Sequence, residues 1–259
     1  MLGGASERLY RRLRPEVEKL PWDTLDPTAH AAEAVEAARI VWTFAAFQEH
    51  RTGAACAATL HALIASRAPL DLIVMASRFP VDEMAHVEMC ARLAAALGGP
   101  VALAYDPDDT VVRPPPAHRP TLRCAELVVR TFCVGEAVSI PLLREAARAA
   151  AHPLIHGVLS RIARDEAAHG RFGWMYLDWI AGDLSDADRA YLVECARNEI
   201  GKLERTWDAT VGRAEVDGAG EALGWLPRAT YLASARRAPQ REVKRPLAAR
   251  GLDVDAPAA

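Results

Sequence analysis

Apolar residues recur every three or four positions through most of this chain, which is the period of an α-helix that buries one face. Four long segments carry the pattern, and shorter ones follow them. We predict the four long helices at residues 27–66, 70–97, 122–151 and 153–180. No segment alternates apolar and polar residues as a half-buried strand would. The pattern therefore predicts an all-α fold.

The connections between the four helices differ in length. Short turns at residues 67–69 and 152–153 join the first helix to the second and the third to the fourth. Residues 98–120 separate the two pairs and contain six prolines, so we expect no helix there. Two tight antiparallel pairs joined by one long crossover predict a four-helix bundle.

Further helices are expected after the bundle. Ser185 is a typical N-cap for a fifth helix, and the Gly-rich residues 212–224 then break the chain. A last helix is predicted at residues 229–249, bent at Pro239 and Pro246. The chain is therefore divided into three parts, which are an N-terminal extension (1–26), a four-helix bundle (27–181) and C-terminal helices that pack on the bundle (182–259).

Composition narrows the class of protein. Half of the 259 residues are hydrophobic (51%), which is enough to bury a large core. The formal net charge of −3 gives no basic excess, so no nucleic-acid partner is expected. The polar start of the chain is no secretory signal, and no apolar run is long enough to span a membrane. The five cysteines contain no C-x-x-C pair, which favours reduced thiols in the cytoplasm.

One short motif occurs twice. Residues 82–86 and 165–169 both read D-E-x-A-H, on the second helix of each predicted pair. Residues three apart share a helix face, so Glu83 lies beside His86 and Glu166 beside His169. Each acid and histidine interrupts a face that is otherwise made of apolar or small residues. The repeat indicates two similar halves that face each other.

The first and third helices each add one acid to such a face. Glu49 lies about 19 residues before the first turn and Glu83 about 15 after it. Glu136 lies about 16 residues before the second turn and Glu166 about 13 after it. With a rise of about 1.5 Å per residue, each pair lies within roughly one helical turn of the same height. All four acids and both histidines are therefore expected to meet at the middle of the bundle.

Metal ions would explain this combination. Four buried carboxylates repel one another, and each costs several kcal/mol to desolvate without compensation. No lysine or arginine lies on the four helix faces concerned. Two divalent cations would balance four carboxylates while both histidines stay neutral. Carboxylates with one imidazole per metal suit iron or manganese and are unlike a structural zinc site.

The pattern resembles the ferritin-like di-iron carboxylate superfamily across residues 27–181, as a bundle with one long crossover and two E-x-x-H helices. The resemblance implies two iron ions, and manganese fits the same ligands. It also implies that six residues would be both metal ligands and catalytic residues: Glu49, Glu83, His86, Glu136, Glu166 and His169. It also implies that Glu83 and Glu166 bridge the two ions. The terminal ligands would be Glu49 with His86 for one ion and Glu136 with His169 for the other.

Two aspartates precede the bridging glutamates. In this superfamily such acids hydrogen-bond to a ligand histidine of the opposite helix pair. The resemblance therefore implies that Asp82 and Asp165 orient the imidazoles and set which ring nitrogen carries the proton.

Three activities belong to this superfamily. Oxygenases and oxidases use dioxygen on an organic substrate, ferritins oxidise and store iron, and rubrerythrins and manganese catalases remove peroxide. Roughly 80 residues follow the fourth helix, and the C-x-x-C iron module usual in rubrerythrins is missing from this sequence. We therefore expect an oxidoreductase that uses dioxygen and an external electron donor or reductase to hydroxylate, N-oxygenate or desaturate a small-molecule substrate. The alternative is a ferritin-like ferroxidase or peroxide scavenger.

The acid spacings look most similar to those of the arylamine N-oxygenase group. That group usually has an additional histidine ligand one turn before the last E-x-x-H, where this chain has Ile162. The departure leaves hydroxylation and desaturation open. The C-terminal helices could cover a substrate pocket or form the interface of a homodimer.

Overall fold

The structure, a computed structural model, describes residues 1–106, 110, 112–210 and 220–257. Within these residues the secondary structure is helical and contains no strand, so the prediction of an all-α protein is confirmed. The α-helices, in chain order, are α1 (Gly4–Leu13), α2 (Ala32–Ala65), α3 (Leu70–Ala96), α4 (Pro120–Val128), α5 (Ala137–Ala149), α6 (Pro153–Ile180), α7 (Asp186–Thr210), α8 (Gly220–Leu223), α9 (Arg228–Ala238) and α10 (Arg245–Ala248).

Most helix ends agree with the sequence pattern. Helices α3 and α6 begin where they were predicted, at Leu70 and Pro153, and both follow residues with extended backbone. Helix α2 begins at Ala32, five residues later than predicted, because Pro27–Ala29 forms a separate 3₁₀ turn. The side chain of Asp26 caps that turn by accepting the backbone N–H of Thr28. Local capping thus moved the start of one helix.

The third predicted helix is not a single α-helix. Residues Val129–Glu136 form a π-helical segment between α4 and α5. The predicted last helix is divided in the same way, since Pro239–Lys244 is π-helical between α9 and α10. Proline lacks the N–H that an α-helical turn needs, which accounts for a change of helix type at Pro239. The prediction of one continuous α-helix was wrong for residues 122–151, whereas the interruption of the last helix begins at Pro239, where a bend was predicted.

Two predicted irregular segments have different outcomes. Within the described part of residues 98–119, no α-helix forms, as the prolines predicted; residues 107–109 and 111 lie outside the described residues. The predicted Gly-rich break at 212–224 falls mostly on residues 211–219, which also lie outside them. Its last part contains the short helix α8. The N-terminal extension contains α1, which the sequence analysis did not predict.

The long helices pack side by side. Helix α2 packs against α3 and α4, and α6 packs against α3, α5 and the π-helical segment Val129–Glu136. Helix α7 lies against that same segment, while α9 packs on α5. No helix of the described residues is long and apolar enough to cross a membrane.

Two apolar cores lie along these helices. One, called here the phenylalanine core, contains Phe79, Phe132 and Phe172. The other, the tryptophan core, contains Trp42 and Ile155. Helices α2, α3 and α6 each contribute one end to the phenylalanine core and the other end to the tryptophan core. The predicted metal ligands of these three helices fall between the two ends, at the boundary of the cores.

Candidate metal centre

The structure brings the six predicted ligands together from four helical segments. Helix α2 supplies Glu49, and the last residue of the π-helical segment Val129–Glu136 is Glu136. The two D-E-x-A-H motifs supply the other four from α3 and α6. Five of the six residues are at most 5% exposed, and the side chain of Glu49 is 16% exposed. The acids and histidines therefore share one buried site.

The six side chains form two overlapping groups in which each residue offers one potential ligand atom. These atoms lie within 4.8 Å of one another in each group. One group joins Glu49 and His86 to Glu83 and Glu166, and the other joins Glu136 and His169 to the same two glutamates. Each group could hold a metal ion. Glu83 and Glu166 have the shared position that the resemblance implies for bridging ligands.

Both imidazoles present the same nitrogen to the carboxylates. Nδ1 of His86 lies 3.2 Å from Glu166 Oε1 and 3.5 Å from Glu49 Oε2. Nδ1 of His169 lies 2.8 Å from Glu166 Oε2 and 3.0 Å from Glu83 Oε1. The Nε2 atoms are directed to the aspartates that precede the bridging glutamates. Nδ1 is thus the nitrogen available to a metal in both halves.

Several of these buried atoms have no hydrogen-bond partner among the described residues. They are both carboxylate oxygens of Glu83, Oε2 of Glu166, and Nδ1 of His86 and of His169. A buried polar atom without a partner costs about 1–3 kcal/mol, and more when it is charged. Within the described residues, no lysine or arginine forms an ion pair with the four glutamates. The donor set and its unpartnered atoms fit a bound cation.

Protons compensate the carboxylates in the metal-free site. Burial raises the pKa of Glu49 to about 7, and burial together with the charges of Glu166 and Glu83 holds the pKa of Glu136 well above its usual range. Burial opposes protonation of His169, but the neighbouring carboxylates of Asp82, Glu166 and Glu83 outweigh this and raise its pKa to about 12. A metal ion would have to displace such protons.

The pKa values of His86 and Glu166 are also shifted in favour of the charged forms. Burial opposes protonation of His86, yet its hydrogen bond with Asp165 and the nearby carboxylates of Glu166, Glu49 and Glu83 hold its pKa well above the usual value. Burial opposes ionisation of Glu166, but the neighbouring imidazoles of His169 and His86 lower its pKa. The metal-free centre is therefore an ion-pair network of imidazolium and carboxylate groups.

The two aspartates occupy different positions. Asp165 Oδ2 lies 3.3 Å from Nε2 of His86, across the boundary between helix pairs. Asp82 Oδ2 lies 3.8 Å from Nε2 of His169, which is too long for a hydrogen bond. Nε2 of His169 has no partner among the described residues. The arrangement implied for both aspartates is thus found in one half of the site and is looser in the other.

Two further features lie around the site. The π-helical turn that ends at Glu136 was not predicted, because residues 121–134 contain neither proline nor glycine and gave no break in the helical pattern. Such turns often occur at functional sites. Ser139 Oγ lies 3.1 Å from the Glu136 backbone carbonyl and 3.3 Å from Glu136 Oε2, and it can donate its one proton to either oxygen. When it donates to Oε2, the hydroxyl restrains the carboxylate from the next turn.

An aromatic wall closes one side of the site. The Phe79 ring lies 4.2 Å from the His169 ring and 5.3 Å from Phe172, measured between centroids. Phe132 and Phe172 are 4.9 Å apart, and all three phenylalanines are at most 1% exposed. Trp42 lies away from this wall, in the tryptophan core, and donates its indole N–H to the carbonyl of Leu223.

Comparison with known proteins identified no relative of this chain. No family model, curated protein or solved structure matches the chain. The structure therefore supports a helical protein with a buried group of carboxylates and imidazoles that could hold metal.

Proposed function

We propose that this protein is a di-iron oxidoreductase of the ferritin-like type, which uses dioxygen to oxidise a small organic molecule. The observation that carries the proposal is the pair of overlapping buried groups that share Glu83 and Glu166. A single metal would need only one such group. Duplicated E-x-x-H pairs on facing helices are the ligand arrangement of di-iron carboxylate proteins.

The packing of the helices supports a ferritin-like four-helix bundle. Helix α2 pairs with α3, and α5 pairs with α6, while α6 contacts α3 and α2 contacts α4. In this interpretation α4, the π-helical segment and α5 together form the third bundle helix. The connection across residues 98–119 is the long crossover.

Charge supports two metal ions. The four glutamates bring four negative charges, and two divalent cations neutralise them when both histidines are neutral. Glu83 and Glu166 would bridge the ions, and each ion would keep one further glutamate and one imidazole. This oxygen-rich set with one nitrogen per metal suits iron or manganese. When bound, an iron pair supplies the reducing equivalents and the Lewis acidity that dioxygen chemistry requires.

The protein's own residues would prepare the centre for that chemistry. Asp165 accepts the Nε2 proton of His86, which leaves the Nδ1 lone pair directed into the site. By donating to Oε2, Ser139 restrains the carboxylate of Glu136 from one turn away. Phe79 and Phe172 exclude water from the side of His169.

Access to the centre would be from the side of Glu49. Its side chain is 16% exposed, whereas the other five residues are buried. The aromatic wall lies at the opposite end, against His169. A small substrate and dioxygen would therefore approach along α2.

Counting the iron that reacts separates an oxygenase from a ferritin. The full chain would be loaded anaerobically with Fe(II) and mixed with dioxygen, and oxidised iron would be counted per chain. Oxidation that stops at two irons per chain supports the proposal. Continued oxidation of many irons would replace it with the ferroxidase alternative.

A matched pair of variants tests whether the oxidised iron reacts at the buried site. Glu166→Ala should lose the reaction because both groups need this carboxylate. Glu33→Ala, which changes an exposed acid of α2, should behave like the wild type. Equal oxidation by both variants would show that the buried group is not the reacting site.

A further inference from the structure

The repeated motif is longer than the metal ligands alone. An arginine precedes each aspartate by four residues, so both halves of the chain read R-x-x-x-D-E-x-x-H. Arg78 comes before Asp82 on α3, and Arg161 comes before Asp165 on α6. Residues four apart on a helix are neighbours, so each arginine can reach its aspartate. Each aspartate in turn faces the histidine of the opposite motif.

In one half, contacts within hydrogen-bond distance connect the arginine through the aspartate to the histidine, and the three side chains are largely buried. Arg161 Nε donates to Asp165 Oδ2 at 2.8 Å, and the same oxygen lies 3.3 Å from Nε2 of His86. The side chains of Arg161, Asp165 and His86 are 12%, 6% and 0% exposed. Solvent screens this pair little, and the guanidinium holds the carboxylate at a defined place. The orientation of the His86 ring is thereby restrained from outside the metal site.

In the other half, the equivalent contacts do not connect the arginine to the histidine. Arg78 Nε donates to Asp82 Oδ1 at a long 3.4 Å and lies 3.3 Å from Oδ2, and the Arg78 side chain is 70% exposed. Asp82 Oδ2 is 3.8 Å from Nε2 of His169, which forms no hydrogen bond within the described residues. Exposed ion pairs restrain their partners weakly. His169 is held mainly by its contact with Phe79 and by the carboxylates it faces.

We propose that Arg161 is a positioning residue which acts through Asp165 on His86, and that this makes the two metal positions unequal. The position of Glu49 and His86 binds its ion first and more tightly than the position of Glu136 and His169. Each position has one terminal glutamate and shares the same two bridging glutamates. The terminal glutamates differ in exposure, 16% for Glu49 and 5% for Glu136, and the support of the imidazole is a second difference, which favours the position of Glu49 and His86. This inference rests on the proposed function, since it presupposes a centre with two metal ions.

The test is a titration of the metal-free full chain with Mn(II), in which the free ion is followed by its electron paramagnetic resonance signal. The wild type should bind two ions in two separate steps. Arg161→Met should weaken the tight step by about 10–100-fold, the range usual for groups that orient a ligand. Arg78→Met is the matched control in the other half, and should change either step by less than about 3-fold.

A conservative variant distinguishes positioning from folding. Arg161→Lys keeps a cation beside Asp165 and should recover most of the tight step. Circular dichroism of the metal-free variants should match the wild type. The inference is overturned if the wild type binds two ions with equal affinity, if both methionine variants weaken binding alike, or if the lysine variant binds no better than Arg161→Met. A wild type that binds no Mn(II) and no Fe(II) would instead overturn the proposed function itself.

Discussion

At the scale of single residues, the shared and terminal glutamates differ in their surroundings. Glu166 lies within 3.2 Å of Nδ1 of both His86 and His169. Glu49 faces only His86, and Glu136 belongs only to the group of His169. A residue in both groups influences both positions, whereas a terminal residue influences one. We therefore expect substitutions of the shared and terminal glutamates to differ in how many metal ions they remove.

Replacing a shared glutamate should therefore cost both ions. Glu83→Ala and Glu166→Ala should each lose tight binding of two metals, because each group then lacks a ligand and retains unpartnered buried atoms. Glu49→Ala and Glu136→Ala should each retain one metal per chain. Elemental analysis after loading and gel filtration measures this. Full metal content in either shared-glutamate variant would contradict the assignment, as would loss of both ions in the terminal variants.

At the scale of helices, the site depends on how the ligand faces are supported. Helix α3 continues through Pro80 and places Phe79 one turn before Glu83, against the ring of His169. The segment between α4 and α5 reaches Glu136 through a π-helical turn, which has one more residue per hydrogen-bonded ring than an α-helix. The face of that segment is thus rotated relative to a continuous α-helix. Aromatic packing and the local helix type together determine the orientation of the acidic and imidazole side chains of the site.

The aromatic wall should be important for stability. Phe79→Ala should lower the free energy of unfolding by about 3–5 kcal/mol, because it leaves a cavity between two buried phenylalanines and His169. Val74→Ala, on the same helix but 59% exposed, should change it by less than about 0.5 kcal/mol. Urea unfolding of the metal-free proteins provides both values. A loss below about 1 kcal/mol for Phe79→Ala would show that the wall is not tightly packed.

At the scale of the whole molecule, a polar layer lies between two apolar cores. The phenylalanine core and the tryptophan core bury the ends of α2, α3 and α6, and the six acidic and imidazole residues lie between them. Metal-free protein keeps this layer neutral enough to bury by holding protons on the histidines. Metal binding and protonation are therefore alternative ways to compensate the same carboxylates.

Stability of the metal-free protein should consequently fall as the pH rises. The pKa of His169 is about 12 in the folded protein and about 6.5 in an unfolded chain. The stability that protonated His169 contributes is complete below about pH 6.5. It is lost as the pH rises toward the pKa of His169 in the folded protein. His86 shifts in the same direction. Urea midpoints of chelator-treated protein should therefore be lower at about pH 8.5 than at about pH 6.5.

Added metal should reverse this dependence. With Mn(II) present, fewer protons compete for the ligands at high pH, so the midpoint should rise rather than fall. His61→Gln, which changes an exposed histidine of α2, should leave both trends unchanged. A chelator-treated protein that is equally stable at both pH values would show that the histidines carry no such protons.

The all-α class, the starts of α3 and α6 and the grouping of the six residues could be predicted from the amino-acid sequence. The reason is that helical periodicity is local: an acid and a histidine three positions apart share a face whatever the rest of the chain does. Similar numbers of residues between each glutamate and its turn also predicted that the four glutamates lie at similar heights along the helices. The prediction failed where non-local packing decides, as for the π-helical turn before Glu136 and for α1, which contacts α3 through Tyr10 and Met84.

Only the tertiary structure decided which nitrogen of each histidine faces the carboxylates and how strongly each aspartate holds its partner. The sequence has the same R-x-x-x-D-E-x-x-H pattern in both halves, and so predicts two equivalent positions. Packing makes them unequal, because it buries Arg161 with Asp165 at 2.8 Å and leaves Arg78 70% exposed. Distances between helices depend on every side chain in the interface, and no local pattern encodes them.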